Sequence, residues 1–138
     1  MPSGPSKEMI DLARTMMSHA HAPYSRFHVG AVIRGASGKL YGGCNVENAA
    51  YPQGLCAEAN AVGVMVAAGE TSIAEVLVMA QNEQLVTPCG GCRQRLREFA
   101  GDATQVYICG PDGLRCTMTL GELLPLSFGP DHLNVSKA

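Results

Sequence analysis

Four residues carry most of the chemistry legible in this chain: Cys56, Glu58, Cys89 and Cys92. Cys89-Gly-Gly-Cys92 follows Pro88 and opens a stretch of helical character, so its two thiols fall on one turn and can face a single ion. Zinc suits such a pair, but two thiolates are only half of a tetrahedral shell. Cys56, at the start of an apolar stretch, is the natural third ligand, which leaves one position for water as in a catalytic site. Spacing alone leaves two other readings open. One is a structural zinc completed by Cys44, Cys109, Cys116 or a histidine; the other is a redox pair. Glu58 bears on the choice, because a carboxylate inside an apolar helical stretch needs a partner or a task. Beside a metal it can shuttle a proton from water. Its alternative role is to stabilise a helix N-terminus, where negative charge is favoured.

These residues need elements to hold them. Ser6 can cap a helix whose apolar positions Met9, Ile10, Leu12, Ala13, Met16, Met17 and Ala20 keep helical spacing and which must end before Pro23. Two short apolar runs, Phe27 to Arg34 and Leu40 to Val46, flank the turn residues Gly35-Ala-Ser-Gly38 and read as a β-hairpin. Residues 56–68 are nearly all small or apolar and predict a helix buried on most sides, ending at Gly69. Ala74 to Ala80 reads as a strand, Gly91 to Phe99 as a charged helix, and Thr104 to Cys109 as another strand before the turn Pro111-Asp112-Gly113. Leu120 to Leu124 can add a helical turn. This order predicts an α/β fold, a three-layer α/β/α sandwich around a mixed sheet of about five strands. Residues 1–138 are expected to form one domain, with residues 1–5 a flexible Pro/Gly/Ser arm.

Composition narrows the possible partners. Ten Lys and Arg against twelve Asp and Glu give a net charge of −2, with no cationic excess to neutralise a row of phosphates, so a nucleic-acid polymer is a poor ligand. No run approaches the ~18 apolar residues of a membrane span, and Met-Pro-Ser-Gly-Pro-Ser lacks the apolar core of a secretory signal. A soluble, cytoplasmic protein is expected, in whose reducing surroundings six cysteines stay free or bind metal. Charged residues make up 16% of the chain, against about 25% for ordinary soluble proteins, which hints at surface hidden in an oligomer.

Cys-x-Glu followed some thirty residues later by Pro-Cys-x-x-Cys matches the three-cysteine form of the zinc deaminase signature. Phe27-His-Val-Gly-Ala-Val, Asn45-Val-Glu47-Asn48-Ala-Ala-Tyr51, Cys56-Ala-Glu58, Pro88-Cys-Gly-Gly-Cys-Arg93-Gln94 and Leu124-Pro-Leu-Ser-Phe128-Gly-Pro-Asp-His-Leu133 resemble, in order, successive landmarks of the small homotetrameric cytidine deaminases. The resemblance spans nearly the whole chain.

It implies one zinc per subunit on Cys56, Cys89 and Cys92, and Glu58 as the residue that takes a proton from the attacking water, delivers it to pyrimidine N3 and then protonates the departing amine. The reaction would be hydrolytic deamination of cytidine and 2′-deoxycytidine in pyrimidine salvage. Asn45 and Glu47 would hold the sugar hydroxyls, Phe27 would pack against the pyrimidine, and the backbone of Ala57 would hydrogen-bond the base. Phe128 would close a neighbouring subunit's pocket in a homotetramer. Many three-cysteine relatives carry an arginine directly after the glutamate, but here that position is Ala59. Arg93 is the nearest cation in sequence and is expected to support the thiolates in its place. The histidines His19, His21, His28 and His132 have no partner at ligand spacing, and Cys44, Cys109 and Cys116 read as packing residues. Two alternatives stay open: deamination of another cytosine nucleoside such as a nucleoside antibiotic, or a non-catalytic structural zinc protein.

Overall fold

A computed structural model describes residues 4–133. Of the expected N-terminal arm, residues 1–3 lie outside the described residues, while Gly4 and Pro5 are half-buried. Helix α1 spans Lys7–His19, and its cap is the expected one: the Ser6 hydroxyl accepts from the Met9 N–H at 3.2 Å. The hairpin strands β1 (Val29–Gly35) and β2 (Leu40–Cys44) follow, then a short 3-10 turn at Tyr51–Gln53 and helix α2 at Ala57–Ala67. Strand β3 (Ile73–Ala80), helix α3 (Gly90–Arg97), strands β4 (Gln105–Gly110) and β5 (Gly113–Thr119) and the single-turn helix α4 (Leu120–Leu123) complete the order, with a second 3-10 turn at Pro130–Leu133.

The five strands form a sheet in the order β2-β1-β3-β4-β5. Only β3 and β4 run parallel, and α3 lies in the crossover between them; the other neighbours are antiparallel. The mixed sheet agrees with the sequence expectation, although β5 is not among the strands that the pattern located. Alternation along the strands sends side chains to two separate cores. Val32, Leu77, Met79 and Tyr107 meet Met9 and Ala13 of α1 on one face. On the other, Ala31, Ile33, Val76, Val78, Val106 and Ile108 meet Ala57, Ala61 and Met65 of α2 and Leu96 of α3. Helices therefore cover both faces, giving the three expected layers.

Two glycines let the helices approach. A Cβ at Gly30 would sit 2.3 Å from the Ala13 carbonyl oxygen, and one at Gly43 would sit 2.5 Å from Ala61 N and 2.6 Å from the Ala57 carbonyl oxygen. Both α1 and α2 thus rest directly on strand backbone, and the second contact fixes where the first turn of α2 lies.

Candidate active site

The site is built where two helices begin. Cys56 is the N-cap of α2 and Cys89 the N-cap of α3, both in extended backbone, and neither side chain caps its own helix. Their sulfurs are thus left for other work, under the partial positive charge of two helix N-termini. Cys92 lies one turn into α3 and is fully buried. The start of α2 is tied down by a two-way bridge in which the Val46 and Leu55 backbones exchange hydrogen bonds at 2.9 Å, and by Asn60 Nδ2 donating to the Cys44 carbonyl at 2.7 Å. The start of α3 is held by Arg93, whose Nε donates to the Pro88 carbonyl at 2.7 Å and Nη2 to the Thr87 hydroxyl at 2.8 Å.

The three ligand atoms of Cys56, Cys89 and Cys92 lie within 4.8 Å of one another, and the Cys56 and Cys89 sulfurs are 3.9 Å apart. That separation is far too long for a disulfide, whose S–S bond is about 2.0 Å. It matches the edge of a tetrahedron whose zinc–sulfur bonds are about 2.3 Å. The electrostatics agree. A backbone hydrogen bond from Cys92 holds the Cys89 thiol below its ordinary pKa, whereas burial pushes Cys56 and Cys92 up, Cys92 strongly and with the Glu58 charge adding to it. A thiolate at the buried Cys92 needs a cation beside it, and a divalent ion at the centre of the cluster supplies one. The donor set therefore fits zinc.

Glu58 sits in the first turn of α2 and is only 5% exposed, the one buried charged residue among those described. Burial raises its pKa, opposed in part by hydrogen bonds from its own backbone and from Cys92 and by the Arg95 charge. It lines a cavity of about 200 Å³ together with Cys56, Cys89, Phe27, Asn45 and Ala57. One small chamber thus contains thiol ligands, a carboxyl group inclined to keep a proton, an aromatic ring and an amide. This combination suits attack of a metal-activated water on a planar, uncharged ring.

Residues 4–109 match the family model described as the cytidine and deoxycytidylate deaminase zinc-binding region. The chain belongs to this deaminase family. It is 36% identical over 128 residues to cytidine deaminase of Sporosarcina psychrophila, covering 93% of this chain and 94% of that one. With cytidine deaminase of Mycobacterium tuberculosis it shares 39% identity over 114 residues, 83% and 82% of the two chains. The crystal structure of cytidine deaminase from Burkholderia pseudomallei is similar with a TM-score of 0.83 at 34% identity, covering 91% of this chain and all of that one.

In this chain the expected site residues divide into three groups. Phe27, Asn45 and Ala57 join Glu58 at the cavity wall. Asn45 is already engaged there: its Oδ1 accepts from the Val29 N–H at 2.9 Å and its Nδ2 donates to the Phe27 carbonyl at 2.8 Å, which fixes the segment carrying the ring. Arg26, just before Phe27, has φ +61°, a backbone turn that redirects the chain into β1.

Glu47 and Phe128 lie elsewhere. Glu47 lines a second cavity of about 370 Å³ with Tyr24, Ser25 and Tyr51, and its carboxylate accepts from the N–H groups of Tyr24 and Ser25 at 3.0 and 3.1 Å and from the Ser25 hydroxyl. Placing Asn45 and Glu47 on one side assumed that strand alternation continues to Glu47, but β2 ends at Cys44 and Val46 makes only isolated bridges. Phe128 is 56% exposed and its ring stacks on His132 at 5.4 Å, while Gln94 Nε2 holds its carbonyl.

Arg93 is a correction. Its guanidinium donates to Pro88, Thr87 and, through Nη1 at 2.7 Å, the Leu123 carbonyl; the contact expected of it with a thiol is made by Arg95, whose Nη1 is 3.7 Å from Cys92 Sγ. The reason is helical geometry. The residue after Cys92 points about 100° round the axis, whereas the third residue on returns to its face. Also absent from the sequence expectation were Val29, Val78, Val86 and Thr87, which line the same cavity. Val29 lies inside the Phe27-His-Val-Gly landmark and Val86 and Thr87 in the run leading into Pro88-Cys89, whereas Val78 had no signal beyond its strand.

Proposed function

We propose that this chain catalyses zinc-dependent hydrolytic deamination of cytidine and 2′-deoxycytidine, giving uridine or 2′-deoxyuridine and ammonia. The observation that carries this reading is the buried Glu58 carboxyl sharing a cavity with Cys56 and Cys89, two thiols of the three-cysteine cluster. Cys56, Cys89 and Cys92 hold the ion, and zinc bound there supplies Lewis acidity that makes a water molecule a nucleophile near neutral pH.

Glu58 handles the protons. Its carboxylate takes a proton from the water that attacks C4 and passes it to N3 of the ring; a second proton, taken from the new C4 hydroxyl and given to the exocyclic amine, lets the C4–N bond break, leaving a C4 carbonyl and free ammonia. Burial suits it to both roles, because a raised pKa narrows the gap between its base and acid forms at neutral pH. Phe27 packs against the base and the Ala57 backbone bonds its polar edge, while Asn45 and Glu47 address the sugar. Glu47 has two oxygens already supplied with donors, so a sugar hydroxyl would join an ordered carboxylate rather than order a loose one. A net charge of −2 agrees with an uncharged nucleoside as substrate.

The chain acts as one domain, in a homotetramer of one zinc per subunit in which the exposed Phe128 ring covers a neighbour's site, within cytoplasmic pyrimidine salvage. No helix among the described residues is long and apolar enough to cross a membrane. The test follows the ultraviolet change as cytidine becomes uridine, for the wild type and Glu58→Gln at equal zinc content. Rapid turnover lost in the variant supports the reading; no turnover by a zinc-loaded wild type rejects it.

A further inference from the structure

Three thiolates carry charge −3 against the +2 of zinc, so the centre proposed above is anionic, buried on one side, and weaker as a Lewis acid than one with neutral ligands unless a cation lies beside it. Helix α2 offers none where it follows Glu58, since that residue is Ala59. In α3, Arg93 spends its three donor nitrogens on Pro88, Thr87 and Leu123. Arg95 is different. Its Nη1 lies 3.7 Å from the sulfur of the fully buried Cys92, making it the one arginine or lysine that contacts a ligand sulfur among the described residues. It folds back along the helix over Gly91, where a Cβ would make ordinary contact with Arg95 Nη1 at 3.4 Å.

We infer that Arg95 is the charge-compensating residue of the zinc centre: from the third position after Cys92 it donates to that thiolate, drains its negative charge, and so tightens zinc retention and preserves the ion's acidity. This rests on the zinc deaminase reading. A guanidinium suits the task because it stays charged and directs a rigid fork of donors, and a charge-assisted hydrogen bond to the buried sulfur offsets the repulsion of holding three thiolates around one ion.

The test compares purified wild type with Arg95→Ala, Arg95→Gln and Arg95→Lys, using the rate of zinc transfer to a colorimetric chelator, the thiolate-to-metal charge-transfer band of the cobalt-substituted protein, and kcat and KM for cytidine. Arg95→Ala should release zinc on the order of 10-fold faster, shift the cobalt band to lower energy as the sulfur loses its charged hydrogen-bond donor, and lower kcat with little change in KM. Arg95→Gln should match it, whereas Arg95→Lys, which keeps the charge, should recover most of the retention. The inference is overturned if Arg95→Ala matches the wild type in zinc release and cobalt spectrum, or if Arg95→Gln retains zinc as fully as Arg95→Lys. A wild type that binds neither zinc nor cobalt overturns the zinc reading itself. A wild type with normal metal binding and an unaffected Arg95→Ala overturns the arginine assignment alone.

Discussion

Two glutamates on opposite faces of the sheet, Glu75 and Glu58, are treated in opposite ways. On the α1 face, Glu75 of β3 accepts from Arg34 Nε at 2.8 Å and from the Tyr107 hydroxyl at 2.5 Å, so its charge is matched and its neighbours are satisfied. On the α2/α3 face, Glu58 is more deeply buried, and its pKa is raised by burial because hydrogen bonds and the Arg95 charge only partly offset the loss of water. A matched carboxylate stabilises a fold and stays in one protonation state. A carboxyl group held against its preference can exchange a proton at little cost, which is what chemistry requires of it. The face that carries function is thus the one where burial outweighs the partners that the carboxyl group has.

The largest effect should separate the faces outright. Glu58→Gln keeps the shape of the side chain but cannot carry a proton between water and ring, so kcat should fall on the order of 10³-fold. The same change removes a charge from a buried position, so the melting temperature should hold or rise. A variant that keeps its rate, or that loses activity only by unfolding, breaks the contrast. On the other face, Leu77→Ala should do the reverse. Leu77 is fully buried under α1, and its truncation should cost about 2–5 kcal/mol in denaturant melts. The kcat of the molecules that remain folded should not change.

This division by face was only partly legible in the sequence. Apolar spacing and the Ser6 cap placed α1, and the turn glycines placed the hairpin, because each is a local signal. Strand β5 escaped because Gly-Leu-Arg-Cys-Thr-Met-Thr lies at the sheet edge, is nowhere fully buried, and so need not show an apolar run. Cys56, Glu58, Cys89 and Cys92 stood out because few residue types can do their work. Arg95 did not, because nearness along the chain favoured Arg93, and only the helical period reveals which arginine shares a face with Cys92. The cavity walls Val29, Val78 and Val86 look in sequence like any other core valines.

Two of the three arginines of α3, Arg93 and Arg95, sharpen the contrast at smaller amplitude. If Arg93 braces the loop before Cys89 rather than the metal charge, Arg93→Ala removes three hydrogen bonds to part-buried acceptors. It should lower stability by about 1–3 kcal/mol, with turnover reduced because the Thr87–Cys89 segment loosens. Chelator competition should meanwhile find the zinc of the folded fraction held as in the wild type. Rapid zinc loss from Arg93→Ala would mean that brace and charge are not separable.

The smallest effect tests the matched side of the comparison. Tyr107 is buried on the α1 face, and burial together with the hydrogen bond to Glu75 pushes its pKa up to about 12. The folded state therefore holds this proton more tightly than the unfolded chain, where a tyrosine ionises near 10. Its contribution to stability is complete below about pH 10 and is lost as the pH climbs from there toward 12, because over that window the unfolded state gives up its proton first. Tyr107→Phe should cost about 1 kcal/mol at neutral pH through the lost bond to Glu75. It should also make the alkaline decline shallower than in the wild type, leaving the part due to groups such as Tyr41, whose pKa is raised by its bond to Glu70, and Cys109, whose thiol burial pushes up to about 11. Urea melts from pH 7 to 11.5 measure both. Parallel curves for the two proteins would mean that the Glu75 cluster is not holding the proton, and that the α1 face is less fully matched than its distances indicate.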